Sequence, residues 1–353
     1  MSDHPPCPDC DLPETQSLNR RQFVQTTALA AAATSSGLLL PGRTARAADA
    51  PQSEQLVRQL YDSLTDAQRS KICFAWDHVD DERGLLRTHV SNNWNITDVD
   101  SLNVGGDFFT ADQRDMIEAI FFGLYSPDFH DKLRKQLKDD AGGYGKRQTI
   151  AIFGEPGGDK WEFVMTGRHL TIRCDGDTAE HVAFGGPVFY GHAAQGFNEA
   201  ADHPGNVYWH QALKANKLFE MLDGKQRDVA LISTAPYESE VAFRGAAGGY
   251  APGLPVVLMS DDQKSHVQDV LKTLLEPYRV SDRDQVTHCL NAQGGLDKCS
   301  LSFYREDDIG EDGVWDIWRI EGPSFVWHYR GAPHVHVWVN IADDASVETN
   351  AVG

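Results

Sequence analysis

Basic residues are scarce in this 353-residue sequence: Lys and Arg number 32 against 52 Asp and Glu, a formal charge of −20. So acidic a balance repels phosphate backbones and anionic lipid, so nucleic acid is not expected as a partner. No Gly-x-Ser-x-Gly elbow occurs, which argues against a Ser-His-Asp hydrolase. No glycine fingerprint stands between a strand and a helix. Gly142-Gly143-Tyr144-Gly145 precedes its strand, and Gly245 to Gly253 reads as loop, so neither has the context of a phosphate cradle. The uncharged run from Thr26 to Leu40 is about 15 residues, short of the roughly 20 that span a bilayer as a permanent helix.

What is present begins with an address. Arg20-Arg21 stand just ahead of that run, Pro41-Gly42-Arg43 breaks it, and Ala45-Arg46-Ala47 supplies the small residues a signal peptidase accepts. This is the pattern of a twin-arginine export signal over residues 1–48. It implies passage through the twin-arginine translocase, removal by signal peptidase, and a periplasmic or secreted product with no stable membrane anchor. The route carries folded proteins, often with a cofactor already inserted, which turns attention to a metal or redox centre. Residues 49–340 are expected to form a single α+β domain, followed by a tail over 341–353. Cys7 and Cys10 fall in the leader without a second pair to complete a metal site. Of the four remaining cysteines, Cys289 and Cys299 flank a short polar loop. An oxidising compartment makes a bridge between them plausible, with a gain of about 2–3 kcal/mol.

Four segments share a helix-start signature: an apolar residue, a capping Thr, Asp or Ser, and Gln three positions on, the logic of a capping box. They predict helices starting near 65, 110, 223 and 260. Their unequal steps argue for convergent capping rather than a solenoid. Further helices are expected at 53–63, 127–138 and 207–221, with Pro277 ending the last long one. Strands are expected at 149–153, 161–174, 181–190, 301–304, 314–321, 324–329 and 334–340. Blocks of helices and antiparallel strands point to α+β, antiparallel sheet with helices packed alongside.

Within the strands, His334-Val335-His336-Val337-Trp338-Val339 alternates strictly, so two histidines share one face. Imidazoles at alternate positions can converge on one copper, zinc or iron ion, with a third ligand from a neighbouring strand. Histidines bonded to backbone groups beneath an aromatic layer are the plain alternative. His169 is the first candidate for the third ligand and His192 the second. A four-residue hairpin loop would set Tyr329 opposite His334 and Trp327 opposite His336, and Phe325 opposite Trp338. Trp327, Tyr329, Trp338 and Arg168 would then line a substrate wall; a register slip of one would bring His328 and Val326 there instead. Glu321 shares that face if its strand runs unbroken, as a ligand, a general base, or a structural partner of Arg168 or Arg319.

Three phrases, Gly167-Arg168-His169-Leu170, Ile320-Glu321-Gly322-Pro323 and His334-Val335-His336, with Gly186-Pro187-Val188-Phe189-Tyr190-Gly191 between them, resemble the bacterial family called domain of unknown function 3500. The resemblance runs from about residue 60 to 340 and implies co-occurrence of these residues without supplying an activity. The family pattern continues after the His pair with an Arg-Asp-Pro-like segment, where this chain has Val339-Asn340-Ile341-Ala342-Asp343. The reading is an exported metal-dependent enzyme, an oxidoreductase acting on a small organic substrate through a His-ligated mononuclear metal. A zinc-dependent hydrolase and a periplasmic binding protein without catalysis are the alternatives.

Overall fold

The computed structural model describes residues 52–196, 203, 205–308 and 314–351; residues 1–48, expected to be an export signal, lie outside them. The first half of the described chain opens on α1 (Gln52–Ser63), α2 (Asp66–Ile72) and β1 (Cys73–Phe74). It passes through a ribbon of β2 (Val79–Asp80) and β3 (Gly84–Leu85) and the one-turn α3 (Val99–Leu102) to α4 (Ala111–Gly123) and α5 (His130–Ala141). It closes on β4 (Thr149–Gly154), β5 (Trp161–Gly167), β6 (Leu170–Cys174) and β7 (Val188–His192). The second half runs in nearly the same order: α6 (Trp209–Met221), α7 (Gly224–Ala230), β8 (Leu231–Ile232) and β9 (Leu254–Pro255), then α8 (Asp261–Leu275) and α9 (Val280–Ala292). It ends on β10 (Ser300–Tyr304), β11 (Ile317–Glu321), β12 (Phe325–Arg330) and β13 (Val335–Ile341).

All strands but β2 and β3 join one mixed sheet in the order β1-β4-β5-β6-β7-β13-β12-β11-β10-β8, with β9 also on β10. It is parallel only at its ends, where β1 meets β4 and β8 meets β10. The fold is α+β. The order is palindromic about the central β7–β13 pair, and side-chain contacts repeat with it. Gln68 and Gln113, each the third residue of a capping box, exchange amide hydrogen bonds at 2.8 and 3.2 Å; Gln226 and Gln263 do the same at 3.0 and 2.8 Å. Where the halves meet, Ser126 N donates to Pro277 O and Arg279 N to Leu124 O, one bond read twice about a two-fold axis. The four look-alike helix starts are therefore two pairs from two copies of one topology. Their uneven steps hid this because the repeat joins alternate starts, 65 with 223 and 110 with 260.

All four boxes form as expected, each capping oxygen accepting from the Gln backbone N–H while the Gln side chain accepts from the cap. α8 stops two residues short of Pro277, but α9, not foreseen, begins three residues beyond it. The strand expected over 161–174 is two strands, with Arg168 and His169 as the turn between them.

Alternation gives the sheet two unlike faces. Ile150, Phe163, Met165, Tyr190, Trp318, Trp327, Tyr329, Val335, Val337 and Val339 pack in one core with helix residues such as Val57, Ile117, Leu218 and Leu274. The opposite face is covered by irregular segments. The register of β12 and β13 differs from the expected one: Tyr329 pairs with Val337, Trp327 with Val339, His328 with Trp338 and Arg330 with His336. Trp327 and Tyr329 thus lie on the helix side, donating to Tyr190 Oη and Tyr208 O at 3.3 Å each, and they line no wall beside the histidines. Burial decides this, because the apolar face of one strand takes the apolar face of its neighbour. Cys289 and Cys299 are separate buried thiols rather than a bridge. No helix among the described residues is long and apolar enough to cross a membrane.

Candidate metal centre

Three histidines meet on the irregularly covered face. His169 sits in the β5–β6 turn with φ +53°, a left-handed conformation that few non-glycine residues adopt. It is held there by Asn93 Oδ1, which accepts from its N–H at 3.1 Å, and by Gln136 Nε2, which donates to its carbonyl at 3.1 Å. The pairing of β6 with β7 sets His169 beside Gly191, and Gly191 pairs in turn with His336. A Cβ on Gly191 would stand 3.2 Å from His169 Cδ2 and 2.2 Å from Val335 O. The glycine lets the two imidazoles meet above the strand between them. His334, just ahead of β13, completes a triangle, its ring centre 5.0 Å from that of His169 and 4.7 Å from that of His336.

His336 Nε2 lies 3.1 Å from His169 Nε2 and 3.0 Å from His334 Nε2, and one ligand atom from each residue lies within 4.8 Å of the others. All three side chains are buried. Nitrogens about 2.05 Å from one ion would stand about 2.9 Å apart at right angles and about 3.3 Å apart at tetrahedral angles, so the cluster has the dimensions of a ligand set. Behind it, His336 Nδ1 faces both Glu238 oxygens at 3.0 and 3.2 Å, and His169 Nδ1 is 3.0 Å from Asp140 Oδ2. The second contact is misaligned for a hydrogen bond, leaving both buried atoms without another partner. Carboxylates behind ligating histidines fix the tautomer with Nε2 bare.

Burial holds His169 and His336 well below the usual histidine range, with Arg168 and Arg330 adding to it, so both rings are neutral at pH 7. Burial pushes Asp140 up to about 7. Phe189 packs edge-on to His336, ring centres 5.2 Å apart.

Family comparison agrees with this arrangement of phrases: the protein of unknown function DUF3500 matches residues 46–340. The chain belongs to the DUF3500 family. Comparison with curated proteins and with solved structures gave no match. In this DUF3500 chain the remaining candidates scatter. His192 points to the helix side of β7, where Asp139 Oδ2 lies 3.1 Å from its Nε2 and Val207 N donates to its Nδ1; it is not in the cluster. Arg168 is beside the cluster, half-buried, its Nε without a hydrogen-bond partner. Trp338 lies on the histidine face, buried against Phe189 with ring centres 4.9 Å apart. Glu321 shares the face but pairs across to Val326 and thence Asn340, so it stands roughly 13 Å along and 10 Å across from His336. It flanks Arg319 and Arg244 instead, at 3.5 and 3.7 Å. Sequence reasoning missed Asp140 and Glu238, which come from a helix end and a loop. Gly191 stood just past the strand expected over 181–190, whereas β7 runs on through it to His192.

Proposed function

We propose that the three histidines hold one divalent transition-metal ion and that the protein is an exported metal-dependent enzyme. The tautomers carry the reading. Glu238 keeps the proton on His336 Nδ1, so the Nε2 lone pair of His336 faces two other imidazole nitrogens. His334 can donate to it, but His169 with its proton on Nδ1 meets His336 lone pair to lone pair at 3.1 Å, and with its proton on Nε2 turns a bare Nδ1 to the buried Asp140 Oδ2 at 3.0 Å. A cation that accepts all three lone pairs removes the conflict. Three neutral imidazoles without a thiolate suit copper, iron or zinc and leave positions free for a substrate. A metal so held supplies Lewis-acid or redox chemistry. Around it Glu238 and Asp140 orient the rings, and Phe189 with Trp338 limits water.

Export in the folded state favours an oxidoreductase acting on a small organic molecule. A zinc hydrolase is the second reading, favoured by the likeness of three histidines with carboxylates behind them to catalytic zinc sites. The test is elemental analysis of the protein exported by its own signal and purified without chelators, beside the His334→Ala/His336→Ala double variant. One equivalent of metal, lost in the folded variant, supports the site. Copper or iron points to redox chemistry and zinc to hydrolysis. No stoichiometric metal even after reconstitution overturns the reading and leaves a ligand-binding protein ahead.

A further inference from the structure

The two halves differ most at one corner. In the first, Ala151, Phe153 and Val164 of β4 and β5 are roofed by Leu86, Trp94 and Ile96, an apolar plug on the histidine-bearing face. β4 pairs Ala151 with Val164 as β10 pairs Ser302 with Arg319, and the Phe153–Glu162 pair matches Tyr304–Ile317. The counterparts of Phe153 and Val164 are therefore Tyr304 and Arg319. There the second half has a cavity of ≈ 580 Å³ in place of a plug. Tyr304, Arg319, Glu321 and Ile232 of the edge strand β8 line its sheet side; Phe243 and Arg244 of the preceding irregular segment line it as well.

The polar groups of this cavity are incompletely paired. Arg319 is buried; its Nε donates to His328 Nδ1 at 3.1 Å, while its Nη2 is buried without a partner. Glu321, also buried, meets Arg319 Nη1 at 3.5 Å and Arg244 Nε at 3.7 Å, beyond good hydrogen-bond length. Two guanidinium groups thus face the Glu321 carboxylate; Glu240, exposed like Arg244, balances the formal charge of the lining, and the donor left unmet is the buried Arg319 Nη2. Guanidinium forks match carboxylates with two parallel hydrogen bonds, and the interaction strengthens where water is excluded, as it is around the buried Arg319 and not around the exposed Arg244. Ile232, Phe243, Pro236 and Pro252 supply an apolar surround.

We infer that this cavity binds a small organic carboxylate, its charged end on Arg319 and Arg244 and its apolar part against Phe243 and Ile232. The inference does not depend on the metal reading, since it can be tested with metal bound or removed. Acetate, benzoate and 3-phenylpropionate, each beside its neutral amide, would be titrated into the mature protein by calorimetry and saturation-transfer NMR, with and without chelator. Saturable binding of at least one aromatic acid is expected, tenfold or more tighter than its amide. Arg244→Gln should weaken it about tenfold, and Glu321→Gln should tighten it severalfold by removing the competing carboxylate. Arg319→Met should abolish it, and if that variant fails to fold the other two decide. Amides binding as well as acids, Glu321→Gln leaving affinity unchanged or lower, or no saturable binding of any of the three acids would overturn the proposal.

Discussion

The β5–β6 and β11–β12 turns occupy equivalent places in the two halves and do different work. Gly167-Arg168-His169-Leu170 presents an imidazole to the histidine cluster; Gly322-Pro323-Ser324-Phe325 presents a hydroxyl that donates to Ala342 O at 2.8 Å and closes the turn on the chain beyond β13. The corners beside them diverge likewise, one filled with Trp94 and Leu86, the other open and lined by Arg319 and Glu321. The strand order is common to both halves, so side chains and the irregular segments that cover the sheet separate scaffold from site. The histidine cluster lies beside the β7–β13 seam and draws one imidazole from the first half and two from the second.

The sharpest way to break this comparison is to remove each turn's side chain. His169→Ala should lose stoichiometric metal, whereas Ser324→Ala should keep it and cost about 1 kcal/mol for the lost hydrogen bond. Metal content and denaturant midpoints read both. Equal metal loss in the two variants would deny the asymmetry.

The glycines come next. A methyl at Gly191 would meet Val335 O and the His169 ring, so Gly191→Ala should destabilise by about 2–4 kcal/mol and weaken metal binding. Gly322→Ala would meet Cys299 Sγ at 2.8 Å and should destabilise while leaving the metal in place. Thermal melts of metal-loaded and metal-free protein separate the two effects.

A smaller contrast lies in the reciprocal glutamines. Gln68 is buried and also donates to Phe108 O, whereas Gln226 is only partly buried. Gln68→Ala should cost about 2–3 kcal/mol and Gln226→Ala about 1 kcal/mol, measured by urea unfolding.

A contrast visible only in acid concerns the plugged corner. Burial lowers His89 to about 4, with Arg173 and Arg83 adding to it. As pH falls from about 6.5 towards 4 the unfolded chain takes up a proton that folded His89 refuses, so stability falls over that window. Replacing it, His89→Gln in the metal-free His169→Ala background, should flatten the decline; an unchanged slope would place the proton elsewhere.

Much of this was legible because it is local. Capping boxes at Thr65, Thr110, Asp223 and Ser260 are written within four residues, and the alternation at 334–339 dictates a strand with both histidines on one side. The parity of β12 against β13 was also readable, since Val335, Val337 and Val339 had to join the most apolar face of the neighbour, Phe325, Trp327 and Tyr329. Loop length misled, because Arg330 belongs to its strand and five residues, not four, lie between the closing pair Arg330 and His336. Asp140 and Glu238 were not legible, because nothing near them in sequence marks a carboxylate that will stand behind an imidazole nearly a hundred residues away in one case.

The sequence by itself determined the helix starts, the strand faces, the acidic surface and the His-Val-His pair, because short-range hydrogen bonding and side-chain periodicity act within a few residues. Only the tertiary structure decided that His169 rather than His192 meets that pair and that Glu321 faces a cavity with two arginines. It alone decided that the halves mirror each other about β7 and β13. Those outcomes depend on sheet order and register, which are set by the burial of whole faces and by no single segment.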